Sequence, residues 1–189
     1  MTGGPEAVAG SPWIELPWID EHATELDATA AVVWPALLRT VEAMMAGRAA
    51  PRYARAVGCA DTEAGGPRPL EVGSTVPGFH VAELIPERLL ALRGSHRFSD
   101  YALAFRLEPL GGVRTRLVAE TRAEFPGAKG RAYRAVVIDT RAHVLVVRRL
   151  LGAVARRVER ARRVGTDEAE SPGEAEPPRG AEPPRGADR

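Results

Sequence analysis

A long stripe of apolar side chains, spaced at helical intervals, runs toward the C-terminal end of the sequence. Steps of three or four residues keep such side chains on one side of a helix and leave the other side for water. We therefore predict a helix over residues 129–163 that ends near Gly165, since glycine is favoured just after helices. A stripe this long needs a partner surface, so the helix is expected to close one α+β domain. The stripe consists of Tyr133, Val136, Val137, Thr140, Val144, Val147, Leu151, Val154 and Val158.

Two segments before this stripe alternate with the period of a β-strand. Phe98–Leu107 and Val113–Phe125 carry apolar or small residues at every second position on one face. Charged residues lie on the other face, among them Asp100 and Arg106 in the first segment and Arg114, Arg116, Glu120, Arg122 and Glu124 in the second. Gly111 and Gly112, between them, can adopt the positive φ angles of a hairpin turn. The pattern predicts an antiparallel sheet with one face toward the core and one toward water. The predicted inward residues are Tyr101, Leu103, Phe105 and Leu107, followed by Val113, Thr115, Leu117, Ala119, Thr121, Ala123 and Phe125.

Shorter elements precede these two strands. We predict a strand over Ile19–Leu26 and then a helical run from Ala30 to Met45. Pro35 lies inside that run and should kink it or split it into two short helices. Two further strands are predicted over Phe79–Ile85, which ends at a proline, and over Arg88–Gly94.

Composition divides the chain into three parts. Residues 1–18 are rich in Gly and Pro and are expected to form a flexible arm, although its tryptophan and leucine side chains could dock on the domain. Residues 19–164 form the domain, in which residues 46–71 have the weakest pattern and are predicted to contain one strand at Tyr53–Val57. Residues 165–189 offer almost no apolar area, so this Pro/Glu/Arg-rich tail is predicted to be disordered.

Charge and cysteine content exclude several classes of protein. Lys plus Arg number 26 and Asp plus Glu 25, so the whole chain has no strong electrostatic preference for nucleic acid or acidic lipid. Cys59 is the only cysteine, which excludes an intrachain disulfide and a cysteine-based zinc site. The first ten residues lack the features of a signal peptide, and no apolar stretch is long enough to span a membrane. We expect a soluble cytoplasmic protein.

The order of these elements resembles that of the helix-grip superfamily, which includes START lipid-transfer domains and bacterial polyketide cyclase/dehydrase-like proteins of the SRPBCC type. The likeness is carried by Val72–Val76 with Phe79–Leu89, by the strand pair Phe98–Phe105 and Val113–Phe125, and by the helix that follows. The Ile19–Met45 portion fits the superfamily's first strand and helices. The superfamily has no invariant motif, so the resemblance concerns element order and pattern and implies no catalytic residue.

The resemblance implies a curved antiparallel sheet wrapped around a long C-terminal helix, with two short helices after the first strand. It also implies an apolar cavity between sheet and helix that holds a hydrophobic small molecule, lipid-like or polyketide-like. The alternative is that the inward side chains simply fill the core. The residues expected to line such a cavity are Phe79, Val81, Tyr101, Leu103, Phe105, Leu117, Thr121, Tyr133, Val136, Val137 and Thr140.

The segment from His96 to Tyr101 holds the densest set of chemically useful side chains. Along a single strand, His96 and Asp100 would lie roughly 13 Å apart at ~3.3 Å per residue, so a direct pair would need a neighbouring strand. Tyr101, on the apolar side, is the better candidate to hydrogen-bond a ligand or act as a weak acid. The alternative is a polar strand edge that meets solvent. The other histidines are isolated, no metal-ligand spacing occurs, and no cofactor is implied.

Three functions remain open from the sequence. The first is a binding protein for an apolar small molecule. The second is a polyketide cyclase/dehydrase-like enzyme in which Tyr101, His96 or Asp100 does acid–base work. The third is a regulatory module whose Arg-rich helix end meets an acidic partner or a membrane surface, although a solvated basic face is the simpler interpretation. Nucleic-acid binding is not expected, and the oligomeric state is left open.

Overall fold

A computed structural model describes residues 11, 13–47, 49–135 and 142–170 of the chain. The described residues form an α+β domain in which a curved antiparallel sheet packs against a long C-terminal helix, so the predicted helix-grip fold is confirmed. In chain order the elements are β1 (Trp18–Leu26), α1 (Ala30–Met45), α2 (Ala49–Val57), β2 (Thr75–Val76), β3 (Phe79–Ile85), β4 (Leu89–His96), β5 (Ser99–Gly111), β6 (Arg114–Glu124), α3 (Gly127–Arg134) and α4 (Ala142–Glu170).

The six strands form one sheet in the order β1-β6-β5-β4-β3-β2, and every neighbouring pair is antiparallel. The β5–β6 hairpin has the longest pairing, and its turn contains Gly111 and Gly112, both at positive φ. The strands predicted from alternation are thus confirmed. Cross-strand partners point to the same face of a sheet, so this register fixes which side chains meet the helices.

Helix α1 continues through Pro35, so the predicted split of this run is wrong. The proline lacks one N–H and therefore removes one intrahelical hydrogen bond. The buried stripe of Val33, Leu37 and Val41 offsets that loss because most helical stability in proteins comes from packing an apolar face.

The second short helix is α2, and the strand predicted over Tyr53–Val57 is wrong. The helix ends at Gly58, whose positive φ suits a residue just past a helix. The backbone N–H of Cys59 then donates to the carbonyl of Ala54, and that of Gly58 donates to Arg55, which is the Schellman arrangement. This helix end reverses the chain direction, so that the Cys59 side chain packs near Tyr101.

The predicted C-terminal helix is described as α3 and α4, with residues 136–141 outside the described ranges. In α4, Val147, Leu150, Leu151, Val154 and Val158 are buried. The helix continues past Gly165 to Glu170, so the predicted end at Gly165 is wrong, and residues 165–170 are helical. Glycine inside a helix costs only about 1 kcal/mol, which makes it a weak stop signal. Within the described residues, no helix is both long and apolar enough to cross a bilayer.

Part of the sheet's outer face is covered by residues 13–17. Trp13 and Leu16 are buried there against Ala91, Ala102 and Ala104, whose small side chains leave room for the indole. The Trp13 indole N–H donates to a carboxylate oxygen of Glu83 at 3.0 Å. The prediction that the outer face meets water is therefore wrong at this place, where these residues of the predicted arm are docked.

The rest of the outer face carries a network of charged side chains. Arg106 forms ion pairs with Glu21 and Glu120, and Glu120 also pairs with Arg122. Burial tends to lower the pKa of Arg106, but hydrogen bonds and charge from the two glutamates raise it overall. These contacts tie β1, β5 and β6 together on the side opposite the helices.

Candidate functional site

One end of the space between sheet and helices holds a cavity of about 470 Å³. Its walls come from the inner faces of β3, β5 and β6, the end of α1, and helices α2, α3 and α4. Sites for small molecules usually enclose roughly 300–1,000 Å³ and are mainly apolar with a few polar groups. The size and lining of this cavity fall within that description.

The cavity exists because side chains at this end are small. Along β6 the inward residues change from Leu117, which is fully buried in the core, to Thr121 and Ala123 at the cavity. The facing surface of α2 presents Ala50 and Ala54. Small residues on both sides leave an open space here, whereas large side chains fill the corresponding space in the rest of the core.

Tyr101 forms one wall of the cavity and is fixed by a backbone contact. Its hydroxyl donates to the carbonyl oxygen of Gly78 at 2.7 Å and lies 3.6 Å from the Cys59 sulfur. Gly94 makes this position possible, because a Cβ there would lie 2.1 Å from the same carbonyl oxygen and 2.6 Å from the Tyr101 ring. Burial, followed by the hydrogen bond and charge of Cys59, raises the pKa of Tyr101, so its hydroxyl stays protonated.

His96 ends β4 and pairs with Ser99 across a tight turn. Residues 96–100 therefore do not share one strand, because a hairpin turn separates His96 from Ser99. The backbone N–H of Phe98 donates to His96 Nδ1 at 3.1 Å, which places the proton of the neutral ring on Nε2. Burial lowers the pKa of His96, with partial opposition from the Asp100 carboxylate, so the ring is neutral near pH 7.

His96 belongs to an aromatic cluster at the cavity. Its ring centroid lies 5.3 Å from that of Tyr101 and 4.8 Å from that of Tyr133. The Tyr133 ring stacks on Phe98, and its hydroxyl lies 2.5 Å from that of Tyr53. Burial, together with the Tyr53 hydrogen bond, raises the pKa of Tyr133. The cluster connects α2, α3 and the β4–β5 turn.

Arg97 fixes this turn to α2. Its guanidinium donates to the carbonyls of Ala56 and Val57 at 3.0 and 3.1 Å, which are among the last carbonyls of the helix. A cation is favourable at a helix C-terminus because of the helix dipole. The cavity walls from α2 and from the β4–β5 turn are thus held in a defined relation.

A cluster of polar side chains lies where β1 meets the start of α4. His143, at the cavity, is 2.7 Å from Asp20 through Nε2 and Oδ2. His22 Nε2 lies 3.3 Å from the same oxygen, and Thr121 is the cross-strand partner of Asp20. The Asp20 Oδ1 and Thr121 Oγ1 atoms are buried without a hydrogen-bond partner in the part of the chain that the structure describes. In the same described ranges, no three His, Cys, Asp or Glu side chains form a cluster suited to a metal ion.

The structure brings part of the predicted site together. The predicted residues at the cavity are Phe79, His96, Tyr101, Leu103, Thr121 and Tyr133. Those buried in the core instead are Val81, Phe105 and Leu117. Those outside the described residues are Val136, Val137 and Thr140. Asp100 lies opposite Glu124 in the register of β5 and β6. By strand alternation its side chain faces away from that of Tyr101, so it is not a cavity residue.

Sequence reasoning missed several cavity residues. Met45, Tyr53 and Cys59 come from the end of α1 and from the region whose pattern was weakest. A helical interpretation of α2, from its alanines and the glycine that ends it, could have found the last two. The pairing of His143 with Asp20 joins residues far apart in sequence, and no local pattern signals it.

No protein-family model matches the sequence, and no curated protein matches it either. Several solved structures are similar. The ZhuI aromatase/cyclase from Streptomyces sp. R1128 shares 19% identity over 75% of this chain and 93% of that chain, with a TM-score of 0.45. A solution structure from Thermobifida fusca shares 18% identity over 74% and 92%, with a TM-score of 0.47. A conserved protein from Geobacillus kaustophilus shares 16% identity over 75% of this chain and 92% of that chain, with a TM-score of 0.42. No residue role follows from likeness at this level.

Proposed function

We propose that the protein binds an apolar small molecule, lipid-like or polyketide-like, in the cavity between the sheet and the helices. The observation that carries this proposal is the 470 Å³ space beside an otherwise filled core. An empty space of this size lowers the stability of a closely packed protein, so its presence favours a role in ligand binding. Burial of apolar ligand surface would supply most of the binding free energy.

The tyrosine hydroxyls of the cavity favour an apolar ligand over a charged one. The hydroxyl of Tyr101 donates to Gly78, and those of Tyr53 and Tyr133 bond to each other. Hydroxyls already satisfied within the protein add little affinity for a polar ligand. No Lys or Arg side chain lines the described part of the cavity, which disfavours a ligand whose anion must be neutralised.

Titration with a neutral apolar fluorophore such as N-phenyl-1-naphthylamine tests this function. Ala50 and Ala56 both lie on α2, but Ala50 lines the cavity and Ala56 is exposed. Ala50→Phe should fill the space and abolish saturable binding, whereas Ala56→Phe should bind as the wild type does. Equal binding by the two variants would place the fluorophore elsewhere and refute the proposal.

Cys59 provides an independent reporter, because the only thiol in the sequence lines the cavity. A bound apolar ligand should slow reaction of the thiol with a maleimide, and Cys59→Ser should remove all labelling. If saturating fluorophore leaves the labelling rate unchanged, the ligand does not occupy the space beside Cys59.

A polyketide cyclase/dehydrase-like activity is the second candidate, favoured by the contact of His96 and Tyr101 at the cavity. A neutral imidazole beside a protonated phenol could exchange protons with a bound ring precursor. Tyr101→Phe and His96→Ala should then abolish turnover of a polyketide substrate while the melting temperature changes little. Loss of stability with retained turnover would assign both residues to structure.

A further inference from the structure

Helix α4 has two opposite faces, and only one belongs to the core. With 3.6 residues per turn, Arg149, Arg156, Arg160 and Arg163 share the side opposite the buried stripe. They span about 21 Å at 1.5 Å per residue. Within the described residues, no carboxylate pairs with Arg149, Arg156 or Arg160. We name these four arginines the basic stripe.

The basic stripe lies in a strongly charged part of the molecule. Residues 148–163 contain seven arginines and one glutamate, a formal charge of +6 in a chain whose total is +1. From Glu159 to Arg163 every residue is exposed, so this part of α4 extends beyond the core. Glu159 contacts Arg162 and Arg163 and offsets part of this charge. A surface of this charge attracts an anionic partner.

Exposed apolar side chains lie at the other end of the same helix. Leu145 is 59% exposed and falls on the same side as the basic stripe, and Val146 is 49% exposed and lines the cavity. These two apolar side chains lie at the start of α4, which borders the cavity.

We infer that this side of α4 docks on an anionic lipid bilayer, with the basic stripe on the headgroups and Leu145 and Val146 at the interface. The inference rests on the proposed function, since an apolar ligand partitions into a bilayer and would exchange with the cavity there. Arginines near an anionic leaflet and apolar side chains at the interface each favour such binding. An acidic protein or nucleic acid would use the charge but not the apolar side chains beside the cavity.

Vesicle flotation with the full chain tests the inference, using phosphatidylcholine vesicles with and without phosphatidylglycerol. We expect binding only with phosphatidylglycerol and steep loss at high salt. The triple variant R149Q/R156Q/R160Q should lower partitioning by about 100-fold. The matched variant R52Q/R88Q/R131Q removes three exposed arginines elsewhere and should change partitioning by less than about threefold. Circular dichroism confirms that each variant is folded.

The apolar part of the surface has its own test. Leu145→Ser should weaken vesicle binding without changing its salt dependence, because it removes an apolar side chain and no charge. Equal partitioning of the two triple variants, or binding to uncharged vesicles, would overturn the inference. Preferential binding to polyglutamate or duplex DNA at the same ionic strength would also overturn it and point to another partner.

The variants separate this inference from the proposed function. R149Q/R156Q/R160Q should bind the apolar fluorophore as the wild type does, whereas Ala50→Phe should lose the fluorophore and keep vesicle binding. If the wild type does not bind the fluorophore, the cavity proposal is refuted. Loss of vesicle binding alone refutes only the docking surface.

Discussion

The two ends of the space between sheet and helices are built from the same strands, yet one is filled and the other is hollow. We define the filled end by Leu90, Phe105 and Leu117, all fully buried beneath α1 and α4. The hollow end is the cavity beside Tyr101 and Ala123. Both ends have apolar inward faces, so the apolar pattern alone does not distinguish them.

Side-chain volume and backbone support make the difference. At the filled end, leucines, valines and Phe105 meet from both layers. At the hollow end, the alanines of α2 face the small residues of β6, and the rings there are held at the walls by hydrogen bonds and by contacts with each other. A cavity thus persists because its walls are fixed by polar contacts and cannot collapse inward.

The largest expected effect is a truncation at the filled end. Phe105→Ala should lower the free energy of unfolding by about 3–5 kcal/mol, because it leaves a void in a closely packed core. Phe79→Ala, at the half-buried wall of the cavity, should cost about 1–2 kcal/mol. Urea denaturation measures both, and similar losses would show that the two ends are packed alike.

The next effect concerns the support of Tyr101. Gly94→Ala should lower the free energy of unfolding by at least about 2 kcal/mol and weaken fluorophore binding, because the new Cβ meets the Gly78 carbonyl and the Tyr101 ring. Gly47→Ala is a suitable control, since a Cβ there has its nearest contact at 3.8 Å and should change stability by less than about 0.5 kcal/mol. If Gly94→Ala folds and binds normally, Tyr101 is not held as described.

Adding side-chain volume should also cost more stability at the filled end than at the hollow end. Ala119→Phe, at a fully buried position, should cost about 1–3 kcal/mol or more because it overpacks the core. Ala50→Phe should leave the melting temperature nearly unchanged, since the ring has space to occupy. Thermal denaturation compares them, and a large loss for Ala50→Phe would contradict the presence of usable space.

The smallest expected effect is a pH dependence from His96. Burial lowers the pKa of His96 below the usual 6.5. At pH values between the folded pKa and the unfolded pKa of about 6.5, the unfolded chain therefore binds more protons than the folded chain. The contribution of His96 to stability should therefore fall as pH decreases from about 6.5 toward its folded pKa, and stay constant above that window. His96→Gln should flatten this part of the curve of unfolding free energy against pH. An unchanged curve would mean that the ring is solvated.

The antiparallel strands and the buried face of α4 could be predicted because their patterns are local and regular. In β5 and β6, every second residue meets the core or the cavity, and the alternation in sequence reflects that directly. α2 was missed because it is only nine residues long and consists mostly of alanine and arginine, with Tyr53 and Val57 as its large apolar side chains. Its alanines, and the glycine at positive φ that follows, are the signals that favour a helix.

The division between filled and hollow ends could not be predicted. Phe105 and Tyr101 occupy equivalent inward positions of one strand, and only the facing helices determine whether a ring fills the core or lines a cavity. The same holds for Val81 and Leu117, which were expected at the cavity and lie in the core. The pairing of Asp20 with His143 depends on where α4 crosses β1, and local sequence does not encode that crossing.

Native mass spectrometry of the full chain, purified from its own host, tests the occupied cavity most directly. We expect the wild type and Ala56→Phe to carry the same adduct, soluble in organic solvent, and Ala50→Phe to be free of it. An adduct that persists in Ala50→Phe, or bare protein that also fails to bind the apolar fluorophore, would contradict a ligand site at the hollow end.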